Sequence, residues 1–377
     1  MIENLGEGGA ERVMSFLANE FVKRGYDTSI ALLQDNPSIV YKLSKEVHVF
    51  QIGQREPLIY ERKLIIRTAK RIRWNRLLQL ERKRVLCKQI DNSRTKPLKA
   101  FLKKNSYDAI ISFLVKPNIA VIRATKGKVS KVIISERNYP LRDDYPLALL
   151  QLKCESYNSK YDYCVAQTGE ILHMLGKKVE SRGVIIENPI DDSLPIFIGN
   201  SRKHIITNYC TFKPQKNLPL LIRAFAKFVE EFPDYTLEIY GKGDKSGLNQ
   251  LVQDLRIASK VFILPFCTNI HEKIKDYAMF VSTSDFEGIS NSMIEAMAVG
   301  IPTISTTCDG GGARAIIRDH ENGILVQKNN EEQLVAAMKE IAKDKRLAKR
   351  LSENAVKLRE QYSGNRIIQK WVDLIEQ

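Results

Sequence analysis

The sequence predicts an α/β protein built from two Rossmann-like, doubly wound domains facing a cleft. Three observations predict it. Short apolar runs alternate with helical patterns along almost the whole chain, as they do where parallel sheets are covered by helices. The alternation pauses at "ENPIDDSLPIFIGNS" (187–201), a stretch of Pro, Gly, Asp and Ser without periodicity, and then restarts. The 377-residue length fits two domains, and 44% hydrophobic content supports full cores. The expected division is residues 1–190, residues 191–362, and a C-terminal helix, 363–377, crossing back to the first domain.

The elements follow in order. Ala10, Val13, Met14, Leu17, Ala18, Phe21 and Val22 keep the i, i+3, i+4, i+7 spacing of an amphipathic helix, and Gly25 ends it. Strands are expected at Thr28–Leu33, His48–Ile52, Asp108–Phe113, Lys131–Ser135, Asp162–Gln167 and Val184–Glu187. Only "MIENL" precedes the Gly-rich "GEGGAERV", so the strand that should open a doubly wound domain is expected to be very short or clipped. Beyond the linker, "HIITNY", "YTLEIYG", "KVFILPF", "MFVSTS", "IPTIST" and "GILVQ" give a second βαβ series of six strands. The last stretch, Asn365–Ile375, is amphipathic through Ile367, Ile368, Trp371, Leu374 and Ile375, and needs a surface to cover.

Composition excludes several classes. Six scattered cysteines have neither metal-ligand nor redox spacing, so reduced thiols in a cytosolic protein are expected. No secretory signal is apparent, and no apolar run approaches the ~18 residues of a membrane span. His173, His204 and His271 have no partner legible in the sequence. The net charge of +15 is concentrated in residues 61–104, which hold sixteen Lys or Arg against three Asp or Glu. Such a block points to a polyanionic partner. It lacks the signatures of nucleic-acid modules, so no nucleic acid is expected. Arg67, Lys70, Arg71 and Arg73 are the candidates for docking on an anionic membrane surface, the alternative being a solvated helix face.

The strongest motif is "SDFEGISNSMIEAMAVGIPTIST" (284–306). A strand, "MFVSTS", runs into a turn and then a helix that begins near Ser290–Asn291. Ligands of parallel sheets bind at the carboxyl ends of the strands, and the first N–H groups of a helix attract phosphate. Glu287 lies just before this anion site and Glu295 about one turn inside the helix, so the two carboxylates bracket a diphosphate. One would take hydroxyls of a sugar and the other those of a ribose. Taken singly, each glutamate reads as an exposed or salt-bridged residue; the whole string at a strand–helix junction carries the ligand reading.

This segment resembles the Glu-x7-Glu motif of the retaining GT-B glycosyltransferases of family 4. "GEGGAERVMSFLANEF" (6–21), "VIIENPID" (184–191), "FKPQKNLPLLIRAFAKF" (212–228), "LEIYGKGD" (237–244) and "TISTTCDGGGARAII" (303–317) resemble further segments of that family. "ISFLVKPNIAV" and "VIISERNYP" look most like transferases of bacterial lipid-linked glycan, O-antigen and capsule assembly. The resemblance implies that Gly8 and Gly9 form a loop open to donor phosphate and acceptor. It implies that Lys216 neutralises the leaving diphosphate and that Glu287 contacts the donor sugar. Gly288, Ile289, Ser290 and Asn291 would hold the diphosphate, Glu295 the ribose, and Lys213 and Gly241 would complete the nucleotide site.

The implied reaction moves a hexosyl group from a nucleotide sugar donor, with UDP preferred, to a hydroxyl of a lipid-linked glycan acceptor. No cofactor or metal is expected, and the implied location is peripheral on the cytoplasmic face of the membrane. The chain departs from the family pattern in three places. Cys210, Thr211 and Phe212 stand where Gly-Arg-Leu is usual, Ala315 stands where the last Gly-Gly loop usually carries an acid, and Arg137 in "SERNYP" stands where many members have a histidine. A non-catalytic subunit, and a transferase acting on a soluble or protein acceptor, are the alternatives.

Overall fold

The computed structural model describes residues 1–6, 8–53, 88, 90–126, 130–139, 161–199 and 201–377. Arg67, Lys70, Arg71 and Arg73 lie outside the described residues. The chain divides into two compact units, Met1–Ile186 with Ile368–Gln377, and Glu187–Ile367.

In the first unit, β1 (Ser29–Leu32) pairs in parallel with β2 (His48–Gln51). β3 (Ala109–Phe113), β4 (Lys131–Glu136), β5 (Tyr163–Ala166) and β6 (Gly183–Ile185) form a second parallel sheet in that order. The residues expected to be a short opening strand join the two sheets. Phe113 N–H donates to Met1 O at 3.0 Å on one side, and Leu33 N–H donates to Ile2 O at 3.0 Å on the other. Ile2 and Leu5 are fully buried there. Helix α1 (Gly9–Lys23) follows and buries Val13, Met14, Leu17, Ala18 and Phe21. It stops where Gly25 takes a φ of 85°, a left-handed conformation that glycine adopts without a Cβ clash.

In the second unit, β7 (Lys203–Thr211), β8 (Thr236–Lys242), β9 (Val261–Pro265), β10 (Tyr277–Ser282), β11 (Thr303–Thr306) and β12 (Ile324–Val326) make one parallel sheet. The spatial order is β12-β11-β10-β7-β8-β9, so the winding reverses between β7 and β10. That is the topological switch point, outside whose carboxyl ends open α/β sheets bind ligands. The core behind it includes Phe225, Phe228, Leu237 and Met279, all fully buried. Arg202 anchors the entry to β7. Its guanidinium donates to the carbonyls of Phe197, Gly300, Lys275 and Tyr277, and to the Ser352 hydroxyl.

Four helices of this unit matter for the site: α2 (Leu218–Val229), α3 (Ile270–Ile274), α4 (Asn291–Val299) and α5 (Gly312–Ile316). The last helix, α6 (Gly364–Glu376), starts in the second unit and returns its end to the first. The amphipathic stripe finds its surface there. Trp371 is fully buried with its ring centroid 5.8 Å from that of Phe113, and Tyr26 donates its hydroxyl proton to Glu376 at 2.5 Å.

Candidate functional site

Two loops leave the sheet at the switch point. After β7 the chain makes a tight turn at Pro214–Lys216 and enters α2 through Asn217, whose φ of 45° is left-handed. After β10 it runs through residues 283–290 into α4. The loops are stitched together. Asp285 N–H donates to Gln215 O at 2.8 Å, the Gln215 amide to Phe286 O at 2.6 Å, and the Thr283 hydroxyl to Lys216 O at 3.0 Å. The loop after β11 adds a third edge, with Glu287 N–H donating to Asp309 O at 2.9 Å. Gly312 closes this contact. A Cβ on it would stand 1.7 Å from Gly288 O, so only glycine lets the two backbones approach.

Stitching brings Lys216 and Glu287 into an ion pair between Nζ and Oε1, and Ser284 Oγ donates to the same oxygen at 3.2 Å. The side chains are 17% and 13% exposed, open enough to be reached. Burial opposes the lysine's charge, but the groups that face it, the Glu287 carboxylate first among them, together hold the ammonium above the ordinary lysine range. Burial first, with Glu287 adding to it, pushes the Cys210 and Cys308 thiols up to about 12, so both are neutral beside the pair.

The loop then delivers the N-terminus of α4. Ser290 is the N-cap residue and its side chain makes no cap bond, so the first N–H groups of the helix keep their donor capacity. The dipole adds positive potential at that end. Ile289 and Ser290 are buried. Asn188 supports the turn, donating to Ile289 O at 3.2 Å and to Asn291 Oδ1 at 2.6 Å. Glu295, 3% exposed, lies one turn further on, and its Oε2 is 2.9 Å from His271 Nε2.

The structure therefore gathers Lys216, Glu287, Gly288, Ile289, Ser290 and Asn291 at one strand–helix junction, with Glu295 on the same helix. Lys213 starts the turn before Lys216 with an exposed side chain. Gly241 pairs with Cys210 in the sheet, where a Cβ would come 1.8 Å from Cys210 O. Gly8 and Gly9 belong to the first unit, at the N-cap and first residue of α1. Asn188, Gln215, Asp309 and His271 are site residues that the sequence reading missed. "ENPID" was the available signal for Asn188. His271 was expected to have no partner, as were His173 and His204, and the structure corrects all three. His173 faces Glu180 at 3.5 Å, and His204 pairs with Asp234 while stacking on Tyr235.

Residues 195–358 match the family model described as glycosyl transferases group 1. Among curated relatives, a poly(glycerol-phosphate) alpha-glucosyltransferase of Bacillus subtilis is 29% identical over 51% of this chain and 28% of its own length. An undecaprenol-linked alpha-1,4-N-acetyl-D-galactosaminyltransferase of Campylobacter jejuni is 26% identical over 100% of this chain and 97% of its own. The chain spans 28% of the length of that glucosyltransferase, and 45% and 40% of the length of two other curated relatives that it matches. The crystal structure of Anabaena HepE in complex with UDP superposes with a TM-score of 0.75 at 16% identity, covering 100% of this chain and 98% of that one. The chain thus has the GT-B fold, and its residues 195–358 are similar to the group 1 glycosyl transferases.

Proposed function

We propose that the chain is a retaining glycosyltransferase of family 4 that moves a hexosyl group from a UDP-sugar to a hydroxyl of a lipid-diphosphate-linked glycan. One observation carries this reading. Lys216, after β7, and Glu287, after β10, meet at the switch point beside the open N-terminus of α4. Amides from Gly288 to Asn291 hold the donor diphosphate. Lys216 stabilises the charge that grows on that diphosphate as the sugar leaves, and it does so from a preorganised position. Glu287 accepts hydroxyls of the donor sugar, and Glu295 those of the ribose. Fixed cations and helix amides supply the leaving-group stabilisation, so the reaction needs no metal. Lys213 and Gly241 belong to the nucleotide site of the second unit, and Gly8 and Gly9 of the first unit form a loop open to donor phosphate and acceptor.

The undecaprenol-linked relative, which matches across the whole chain, supports the lipid-linked acceptor, and the UDP complex of the structural neighbour supports the nucleotide. Among the described residues no helix is long and apolar enough to cross a membrane. The proposed route to the acceptor is peripheral, through Arg67, Lys70, Arg71 and Arg73 on anionic lipid at the cytoplasmic face.

The test is to incubate the purified chain with UDP-hexoses and UDP-N-acetylhexosamines, undecaprenyl-diphosphate-linked oligosaccharides and anionic vesicles. The product's anomeric configuration is then read by NMR. An α-linked lipid product from an α-linked donor is expected, falling when the four basic residues are changed to Ser. An inverted product overturns retention. Transfer to soluble sugars alone overturns the lipid acceptor, and UDP binding without any turnover marks a non-catalytic subunit.

A further inference from the structure

His271 and Glu295 form a second acidic–basic pair in the second unit, distinct from Lys216 and Glu287. The pair is well enclosed, with side chains 18% and 4% exposed. The imidazole is also held in place. Its ring meets that of Tyr209 edge-on, with centroids 5.6 Å apart and an interplanar angle of 88°. Tyr209 is itself fixed, since its hydroxyl donates to Ser292 O at 2.8 Å and its ring packs on Phe280. Tyr209 comes from β7, Phe280 from β10 and Ser292 from the first turn of α4. The elements that make the switch point therefore clamp the histidine. With Nε2–H donating to Oε2, the carboxylate of Glu295 has one orientation rather than several.

We propose that His271 is a positioning residue for nucleotide selection, holding the Glu295 carboxylate in the orientation that accepts the vicinal hydroxyls of a ribose. The inference rests on the reading above that Glu295 takes the ribose. A carboxylate already ordered loses little freedom when two hydroxyls bind it, whereas a rotating one loses that freedom on binding. The ribose is remote from the bond that breaks, so the effect belongs to affinity and not to turnover.

The experiment measures UDP and 2′-deoxy-UDP binding by calorimetry, and donor KM and kcat, for wild type, Glu295→Ala, His271→Ala and His271→Gln. A hydrogen bond to a charged group is worth about tenfold or more in affinity. His271→Ala is expected to lose about tenfold in UDP affinity and to raise donor KM about tenfold, with kcat little changed. It also loses the preference of UDP over 2′-deoxy-UDP. His271→Gln, whose side-chain amide reaches the same oxygen, restores most of both. If Glu295→Ala leaves the UDP preference intact, the ribose reading itself fails. If Glu295→Ala abolishes the preference but His271→Ala keeps it, the ribose reading stands and the positioning role is overturned. Equal loss for both nucleotides without rescue by Gln assigns His271 a packing role only and overturns the proposal as well.

Discussion

Lys216 and Glu287 show what a charged residue needs in order to stand at a nearly enclosed site. Each is less than a fifth exposed, and each compensates the other. Removing one partner leaves the other buried and unpaired, which costs more than the pair contributes. Lys216→Met is expected to lower unfolding stability by about 3 kcal/mol, read from urea denaturation. The pH dependence has a definite sign. The folded-state pKa of Lys216 is raised, so its stabilisation is complete below the ordinary lysine value and is lost as pH rises through the raised one. The difference between wild type and Lys216→Met should hold through neutral pH and shrink above about 10.5. A difference that grows with alkalinity would contradict the pairing. Both residues were legible in the sequence because each sits in a motif at a strand end. His271 was not, since its partner is 24 residues away and no periodicity or spacing links an imidazole on α3 to a carboxylate on α4.

At the scale of elements, three loops at the carboxyl edge behave as one body because backbone groups bond across them. Phe286 and Asp309 form a parallel bridge, and Asp309 N–H donates to Asp285 O at 3.2 Å. The Lys328 ammonium holds the Asp309 carboxylate at 2.8 Å. Gly312→Ala is expected to push the Gly288 carbonyl away, and overpacking of this kind costs about 1–3 kcal/mol. Calorimetry should show a lower melting temperature together with weaker UDP binding; unchanged binding would mean that this contact does not shape the anion loop. The strands themselves were legible because β-branched and aromatic runs of four to seven residues recur between helical patterns. Their spatial order is that of the doubly wound class expected from the alternation, and no single run carries it. The reversal between β7 and β10, which brings Lys216 to Glu287, is a property of winding and leaves no local pattern.

At the scale of the whole chain, the two units share their last helix. Ile368–Gln377 belongs to the first unit, although α6 begins at Gly364 in the second. Trp371 is the largest fully buried side chain among the described residues, and truncating such a residue costs about 3–5 kcal/mol. Trp371→Ala should therefore lower the unfolding transition of the first unit while UDP binding by the second persists. Loss of UDP binding at temperatures where both units remain folded would contradict that division. The helix was legible from its stripe of apolar residues, and its need for a surface followed from that stripe. The role of Met1–Leu5 was only partly legible. Five residues carry too little pattern to reveal that Met1 and Ile2 bond to a neighbour on each side.

The role proposed for Glu287, paired with Lys216 at the switch point, is sugar transfer without a metal. The direct measurement is the initial rate of UDP release from a UDP-sugar donor with its acceptor in excess EDTA, for wild type and Glu287→Gln. The substitution keeps the side chain's size and removes its charge. Wild type is expected to turn over in EDTA, and Glu287→Gln to lose about a hundredfold or more in rate, as when a group stabilising the transition state is removed. UDP affinity should stay within a few-fold. Near-normal turnover by Glu287→Gln, or wild-type turnover that returns only with Mg²⁺ or Mn²⁺, would contradict it.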